Sequence, residues 1–411
     1  MTQSKLATLV AACLVWTAAA ASPSVAQFSG DTVKVGVLND MSGPYADITG
    51  QSSLIAVQMA VEDFGGTVGG RKIEVIAADH QNKPDVGSAI ARRWYDQDGV
   101  DVIVGLGASS VALAVRSYAR DKGKLDIATS SGSSDLTGAA CSPTGFHWMH
   151  DTYALAKTLA TASVKNGGTS WFFVTADYSF GHVLERDAAR FVEAAGGRVL
   201  GRVRAPINST DFSSYLLQAQ ASGAKIIGLA NGGNDTINAV KTAREFGIVG
   251  GGTSQSLASL LLMITDVHAL SLEAAQGLLL SEGFYWDQSD ETRGFANRFF
   301  ARRKLMPNMM NAADYSATLH YLKAVQAAGT DEPKAVAAAM RNLPISDATL
   351  KNGRIRSDGR VERDMYLFRV KKPNESRGAW DLYEQIATVP FADAFRPLSE
   401  GGCPLAAAAS R

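Results

Sequence analysis

Asp101-Val-Ile-Val-Gly-Leu-Gly-Ala-Ser-Ser-Val-Ala-Leu-Ala-Val115, followed by Leu125-Asp-Ile-Ala-Thr-Ser-Ser-Gly-Ser-Ser134, decides the fold. Twice a short apolar, β-branched run breaks into Gly and Ser, and after the first break Val111 to Val115 reads as a buried helix. Strand, small polar turn, helix, strand, small polar turn is one and a half βα units of a parallel sheet. In such sheets ligands bind at the carboxyl ends of the strands, where helix N-termini offer free N–H groups. Ser109, Ser110, Ser131 and Ser133 add hydroxyls there, a combination suited to holding a carboxylate without any chemistry.

Working outward, the same alternation covers most of the chain. Val33–Asn39 and Lys72–Ala78 read as buried strands, and Ser52–Phe64 and Val86–Asp96 as helices, with Ile55, Met59, Ala60 and Phe64 on one helix face. That predicts a first lobe of four strands, complete near residue 150. A second series follows: strands at 170–175, 196–203 and 225–230, helices at 152–165, 183–195, 212–222 and 236–246, and the loops Ala176–His182 and Asn231–Asp235. Beyond about residue 285 the pattern turns helical, then ends in two strands near 363–370 and 380–387. We assign those helices to the first lobe and those strands to the second. The expected domains are residues 30–150 plus 286–355, and 151–285 plus 356–400. The fold class is α/β, with two Rossmann-like lobes joined by a three-crossover hinge.

A length of 411 residues favours two domains over one core, and 46% hydrophobic content with 40 basic against 40 acidic side chains describes an ordinary globular protein. Neutrality argues against nucleic acid, whose phosphates require a basic face. Residues 1–26 stand apart. Lys5, the apolar run Leu6–Ala21 and the small residues Ser24-Val-Ala26 form a secretory signal peptide with cleavage after Ala26, so the mature protein is expected in the periplasm. A retained anchor is the weaker reading because the apolar run is short, and Val10-Ala-Ala-Cys13 lies too early for a lipidation box. Removing the signal leaves Cys141 and Cys403, an even pair in an oxidising compartment, which predicts a disulfide; two buried free thiols are the alternative.

Motifs for catalysis are missing from the sequence. Gly105-Leu-Gly107-Ala-Ser-Ser110 has Ser in place of the third glycine of the dinucleotide fingerprint, and Asp126 starts the next strand instead of ending it. There is neither a Gly-Lys-Ser/Thr phosphate loop nor a Gly-x-Ser-x-Gly elbow. His147 and His150 are three apart, without further metal ligands nearby. No catalytic residue, metal or cofactor is therefore expected. Aromatic residues beside the polar loops are more informative: Tyr45, Trp148, Tyr153, Tyr178, Phe180, Tyr285 and Trp286 suggest a cleft with aromatic walls.

Met41-Ser-Gly-Pro44, Gly105–Ser110, Ala128–Thr137 and Ala275-Gln-Gly-Leu-Leu together resemble the exported solute-binding proteins of ABC importers, type I fold, in the leucine/isoleucine/valine-binding family. The resemblance covers essentially the whole mature chain. It implies two lobes that close on a ligand by hinge bending, a membrane permease as partner, and no enzymatic activity; a monomer is expected. By position, Ser109 and Ser110, joined by Ser131, Gly132 and Ser133, would meet a ligand carboxylate, with Tyr178 and Asn231-Gly232 facing them from the other lobe. One departure matters. Amino-acid binders of the family carry an acid after the strand following the position of Phe246, to hold the ligand ammonium, whereas Gly251–Ile264 contains none. Asp235 and Asp266 are the nearby substitutes. A buried unpaired ammonium costs several kcal/mol. The chain is also similar to a subgroup with Cys-Ser-Pro, His-Trp-x-x-Asp-Thr-Tyr-Ala-Leu-Ala and Trp-Phe-Phe-x-x-Ala-Asp-Tyr-x-Phe-Gly, found here at Cys141, His147–Ala156 and Trp171–Gly181. Some members of the wider family take up aromatic acids. The expectation is a receptor for a small carboxylate such as a benzoate derivative, with a branched-chain or other amino acid as the alternative and an exported α/β enzyme as the third.

Overall fold

The computed structural model describes residues 28–248 and 255–408. The expected signal peptide and its cleavage site, and the first residues of the acid-free stretch 251–264, lie outside them. In the first lobe, β1 (Thr32–Asn39), β2 (Thr67–Val68), β3 (Arg71–Asp79), β4 (Val102–Gly105), β5 (Leu125–Ala128) and β6 (Gly145–His147) form one sheet in the order β2-β3-β1-β4-β5-β6. All its pairs are parallel except the short β2–β3 hairpin. Between the strands run α1 (Gly50–Phe64), α2 (Pro84–Asp96) and α3 (Ser109–Lys122). Six strands replace the expected four, because β2 and β6 are too short to show a periodicity of their own.

The second lobe repeats the plan. Helices α4 (Thr152–Lys165), α5 (Ser179–Ala194), α6 (Ser213–Ala221) and α7 (Asn234–Glu245) surround β7 (Ser170–Ala176), β8 (Arg198–Ala205), β9 (Ile226–Ala230) and β10 (Ser256–Ser259). These strands form an all-parallel sheet in the order β10-β9-β7-β8. Two short helices, α8 (Ile264–Leu270) and α9 (Leu272–Ala275), lead into β11 (Leu279–Glu282). The chain then returns to the first lobe as α10 (Asp290–Arg303), α11 (Met309–Ala328) and α12 (Pro333–Asn342). There α11 packs along α1. That contact corrects the expected helix face: α1 is covered on two sides, so Ser52, Ser53, Ala56 and Val57 are buried while Ile55 and Phe64 are half-buried. After the two-residue strands β12 (Arg354–Ile355) and β13 (Val361–Glu362), β14 (Met365–Val370) and β15 (Tyr383–Val389) join β11 in an antiparallel sheet.

The chain thus passes between lobes at residues 148–151, 283–289 and 356–364, and two buried arginines of the third passage bind the other two. Arg360 donates to the carbonyls of Met149 and His150 and lies 3.6 Å from Asp151. Arg363, which the sequence suggested as the first residue of a strand, instead points inward and donates to Gly283 O at 2.6 Å. The backbone joins in, with His147 N–H donating to Gly359 O at 2.9 Å, which extends β6 with the third passage. Guanidinium groups suit this task because their several donors satisfy several carbonyls at once, and burial lowers both pKa values only to about 10, leaving the charge intact.

Cys141 and Cys403 form a disulfide, with Cα atoms 5.7 Å apart. The tail from α13 (Phe391–Ala394) onward packs over the hinge side, where Arg396 donates to Ser134 O at 2.8 Å and Arg360 lies over the Phe395 ring. The bridged residues are 262 apart in sequence, so reduction releases a very long loop. We expect reduction, or Cys403→Ser, to lower stability by up to about 5 kcal/mol; an unchanged melting temperature under reducing conditions would refute this.

Asp314 on α11 is fully buried, accepts the Thr129 hydroxyl with one oxygen and has no partner for the other. Burial pushes its carboxyl up from 3.8 to about 7. The folded chain therefore keeps a proton that the unfolded chain has already released, so this stabilisation is complete below about pH 4 and fades as pH rises through about 7. Asp314→Asn should flatten that decline, gaining roughly 1–3 kcal/mol over the wild type at about pH 8 compared with about pH 5. Parallel pH–stability curves for the two proteins would contradict it.

Candidate functional site

The order of each sheet reverses once, between β1 and β4 in the first lobe and between β7 and β9 in the second. Crevices open at such switch points, beyond the carboxyl ends of the strands. Here the two crevices face each other and enclose a narrow cavity, with about 10 Å³ of free space, lined by Tyr45, Ile48, Gly107, Ser130, Gly132, His150, Tyr178, Phe180, Leu261 and Met310. That is about the room a single water needs, so the lobes are closed on each other here and a guest enters only as they part. A larger groove of about 850 Å³ runs along the outer hinge beside Lys351, Arg354 and Asp364. It is open to the surface and meets none of the switch points.

Each wall is set by local structure. Asp40, at the end of β1, accepts the N–H groups of Gly43 and Tyr45 and so folds the Met41–Tyr45 turn that aims Tyr45 into the cleft. Asn308 caps α11 and donates to Ile48 O at 2.9 Å, bringing Ile48 and Met310 to the same wall. After β4, Gly107 N–H donates to Asn39 at 2.8 Å, and Leu106 is held at φ 63°, a value uncommon for a side-chain-bearing residue, by its bond to Leu38 O. Across the gap, the Tyr178 hydroxyl meets that of Tyr45 and Asn234 N–H donates to Pro44 O at 3.4 Å, so the lobes touch. Only a glycine permits that approach at 233, where φ is 58° and a Cβ would stand 2.6 Å from Pro44 O. Ser134 and Asp135 reach over to Asp187 and Arg186 at 2.9 and 3.3 Å.

Of the residues singled out in the sequence for the ligand site or its aromatic walls, Tyr45, Gly132, Tyr178 and Phe180 come together at the cavity. The serine ledge is largely occupied with itself. Ser131 donates to Ser109 Oγ at 3.2 Å, Ser109 Oγ also accepts from Ser133 N–H, and Ser133 Oγ caps Asp135. Ser110 is half-buried on the first turn of α3. Asn231 accepts the Thr236 hydroxyl at 2.7 Å, and Gly232 fits between Leu261 and Tyr45. Four aromatic residues stand elsewhere, among them Trp286, which donates to Trp380 O at 2.9 Å. Trp148 packs on His320 in the hinge core, Tyr153 meets Phe191 edge-on, and Tyr285 stacks on Tyr383 and donates to Trp380 O, within the second lobe. Side-chain packing drew these rings to the nearest apolar core, so their proximity to polar loops in sequence misled. Asp266 caps α8 through Met263 N–H at 2.9 Å, which commits it. Asp235 accepts Asn208 N–H with one oxygen and keeps the other buried and unpaired, and burial raises its carboxyl to about 6.

The polar atoms left to face a guest are therefore different from those expected. Ser130 Oγ is buried without a partner, as are both ring nitrogens of His150. Burial, with Arg360 and Arg363 behind the ring, lowers the His150 pKa to about 3, so the imidazole is neutral. Burial also holds the Tyr45 and Tyr178 phenols well above their ordinary pKa, so both keep their hydrogens and one O–H remains to spare after they bond each other. Among the described residues no Asp or Glu lines the cavity. Ser130 lies inside the stretch that decided the fold, but His150 had only its spacing from His147 to mark it, and that spacing pointed to metal.

Along most of its length the chain is similar to known proteins. A family model described as periplasmic binding protein matches residues 32–378. A crystal structure of a periplasmic binding protein from Burkholderia mallei is 50% identical, superposes with a TM-score of 0.89, and the match covers 91% of this chain and 99% of that one. A solute-binding protein of an R. palustris ABC transporter, solved in complex with benzoate, is 21% identical over 91% of this chain and 100% of its own, with a TM-score of 0.80, and shares the fold. Leu/Ile/Val-binding protein homolog 6 of Brucella melitensis is 25% identical over 251 residues, 61% of this chain; the match spans 63% of that relative's length.

Proposed function

The chain belongs to the periplasmic binding protein family, and on that premise we propose that it is the solute-binding component of an ABC importer, closing its lobes in the periplasm on a small carboxylate with an aromatic body and delivering it to a membrane permease. One observation carries the ligand class. The cavity wall offers hydrogen-bond donors and apolar surface, while no lining side chain is acidic among the described residues. A carboxylate end would receive the Ser130 hydroxyl, the spare tyrosine O–H and the positive end of α3 beyond Gly107. Ile48, Phe180, Leu261 and Met310 would enclose a ring. The benzoate held by the R. palustris neighbour supports the same class.

The mechanism is a population shift. Residues from both lobes line the cavity, so a guest adds contacts only in the closed form and favours it by its differential affinity. The three short passages let the lobes rotate as rigid bodies, and the closed shape is what a permease would recognise.

One observation favours the amino-acid reading. Asp235 has a buried, unpaired oxygen, and its charge acts on both Tyr45 and Tyr178. Thermal-shift and calorimetric screening separates the two. Benzoate and its derivatives should raise the melting temperature, while leucine, isoleucine and valine should not. A shift with leucine that Asp235→Asn abolishes would reverse this assignment.

Gly132 offers a second test. It does not adopt a positive φ, yet a Cβ there would stand 2.7 Å from Phe180 and 3.3 Å from His150 Nε2, filling the cavity. Gly132→Ala should displace the Phe180 ring, keep the secondary structure by circular dichroism and weaken binding of the aromatic acid about tenfold or more. Undiminished affinity in that variant would move the site elsewhere.

A further inference from the structure

Among the described residues lining the cavity, His150 alone leaves two side-chain atoms without a partner. The residue is wholly buried, in the first passage between lobes, with its carbonyl held by Arg360 at 3.4 Å. Its Nε2 lies 3.3 Å from the point where a side chain on Gly132 would begin, so it is directed at the space that glycine leaves open. Burial together with two cationic neighbours keeps the ring neutral.

A neutral imidazole carries one N–H and one lone pair, whichever nitrogen holds the hydrogen. A carboxylate has only acceptors. It can use the N–H, as it can use Ser130 and the spare tyrosine O–H, but it has nothing to give the lone pair. A buried acceptor left unpaired weakens the complex. Aromatic C–H edges do not repair this, and the remaining walls at Ile48, Phe180, Leu261 and Met310 are apolar.

Resting on the carboxylate reading above, we propose that His150 is a specificity-determining residue, and that the guest carries a hydroxyl group hydrogen-bonded to its imidazole. The substrate class is then a hydroxylated aromatic acid in preference to the parent acid. Sites built to hydrogen-bond a substrate hydroxyl discriminate strongly against the analogue lacking it, because the site's own polar group is left bare.

Calorimetry on the full mature protein tests this with benzoate, 3-hydroxybenzoate and 4-hydroxybenzoate as probes. The wild type should bind one of the hydroxylated acids at least about tenfold more tightly than benzoate. His150→Phe should reduce that preference to about twofold or less while still binding benzoate, and His150→Gln, which keeps a donor and an acceptor, should retain part of it. Equal wild-type affinity for all three acids overturns the proposal without any variant being needed. So does an equal loss for all three in a folded His150→Phe, and either result leaves the carboxylate reading standing. If no aromatic acid binds the wild type, that reading itself fails and this one with it.

Discussion

Two guanidinium groups buried at the hinge hold the architecture together. Arg360 gathers the carbonyls of the first passage and Arg363 that of the second, so three separate stretches of backbone meet at one place. Buried carbonyls at chain crossings need donors, and water is excluded there. Arginine meets the need with several N–H groups on one rigid plane, and its charge survives burial. The same groups also act at a distance. Burial is the main reason that His147 and His150 stay unprotonated, and the positive charge of Arg360 adds to it at both, with Arg363 adding at His150, so a neutral hydrogen-bonding ring faces the cleft instead of a cation.

The cleft follows from topology. Each lobe has a central strand, β1 or β7, flanked by strands whose connecting helices lie on opposite faces, and the crevice between them is where loops can diverge. Facing the two crevices across a hinge produces a cavity whose walls come from both lobes. That is a suitable arrangement for recognition without chemistry. Contact of the lobes at Tyr45–Tyr178 and at Gly233–Pro44 closes the space, and the hydrogen-bonding groups that remain inside define what can occupy it.

Much of the fold was legible from residue order. Alternating apolar strands and helices, the breaks at Gly and Ser and the pairing of Cys141 with Cys403 all appear in the structure. The misses were short or cooperative. Strand β6 spans only Gly145–His147 and depends on β5 and on Gly359 for its hydrogen bonds. The buried face of α1 is shifted because α11 covers a second side of it. Ser109, Ser131 and Ser133 were rightly located at the strand ends, yet their hydroxyls mostly serve one another, leaving Ser130 as the free one.

Secondary structure, lobe count and the general position of the cleft depend on periodicity and turn chemistry within segments of ten or twenty residues, so the bare chain specifies them. The identity of the groups that face a guest does not depend on such segments. A polar atom is available only if no neighbour has already claimed it, and neighbours come from anywhere: Arg360 reaches a carbonyl 211 positions upstream, and Asp314 takes the Thr129 hydroxyl from 185 positions away. Packing three distant passages into one hinge settled that His150 would be buried, neutral and unpaired, because only there do burial, two cations and a missing side chain at Gly132 coincide.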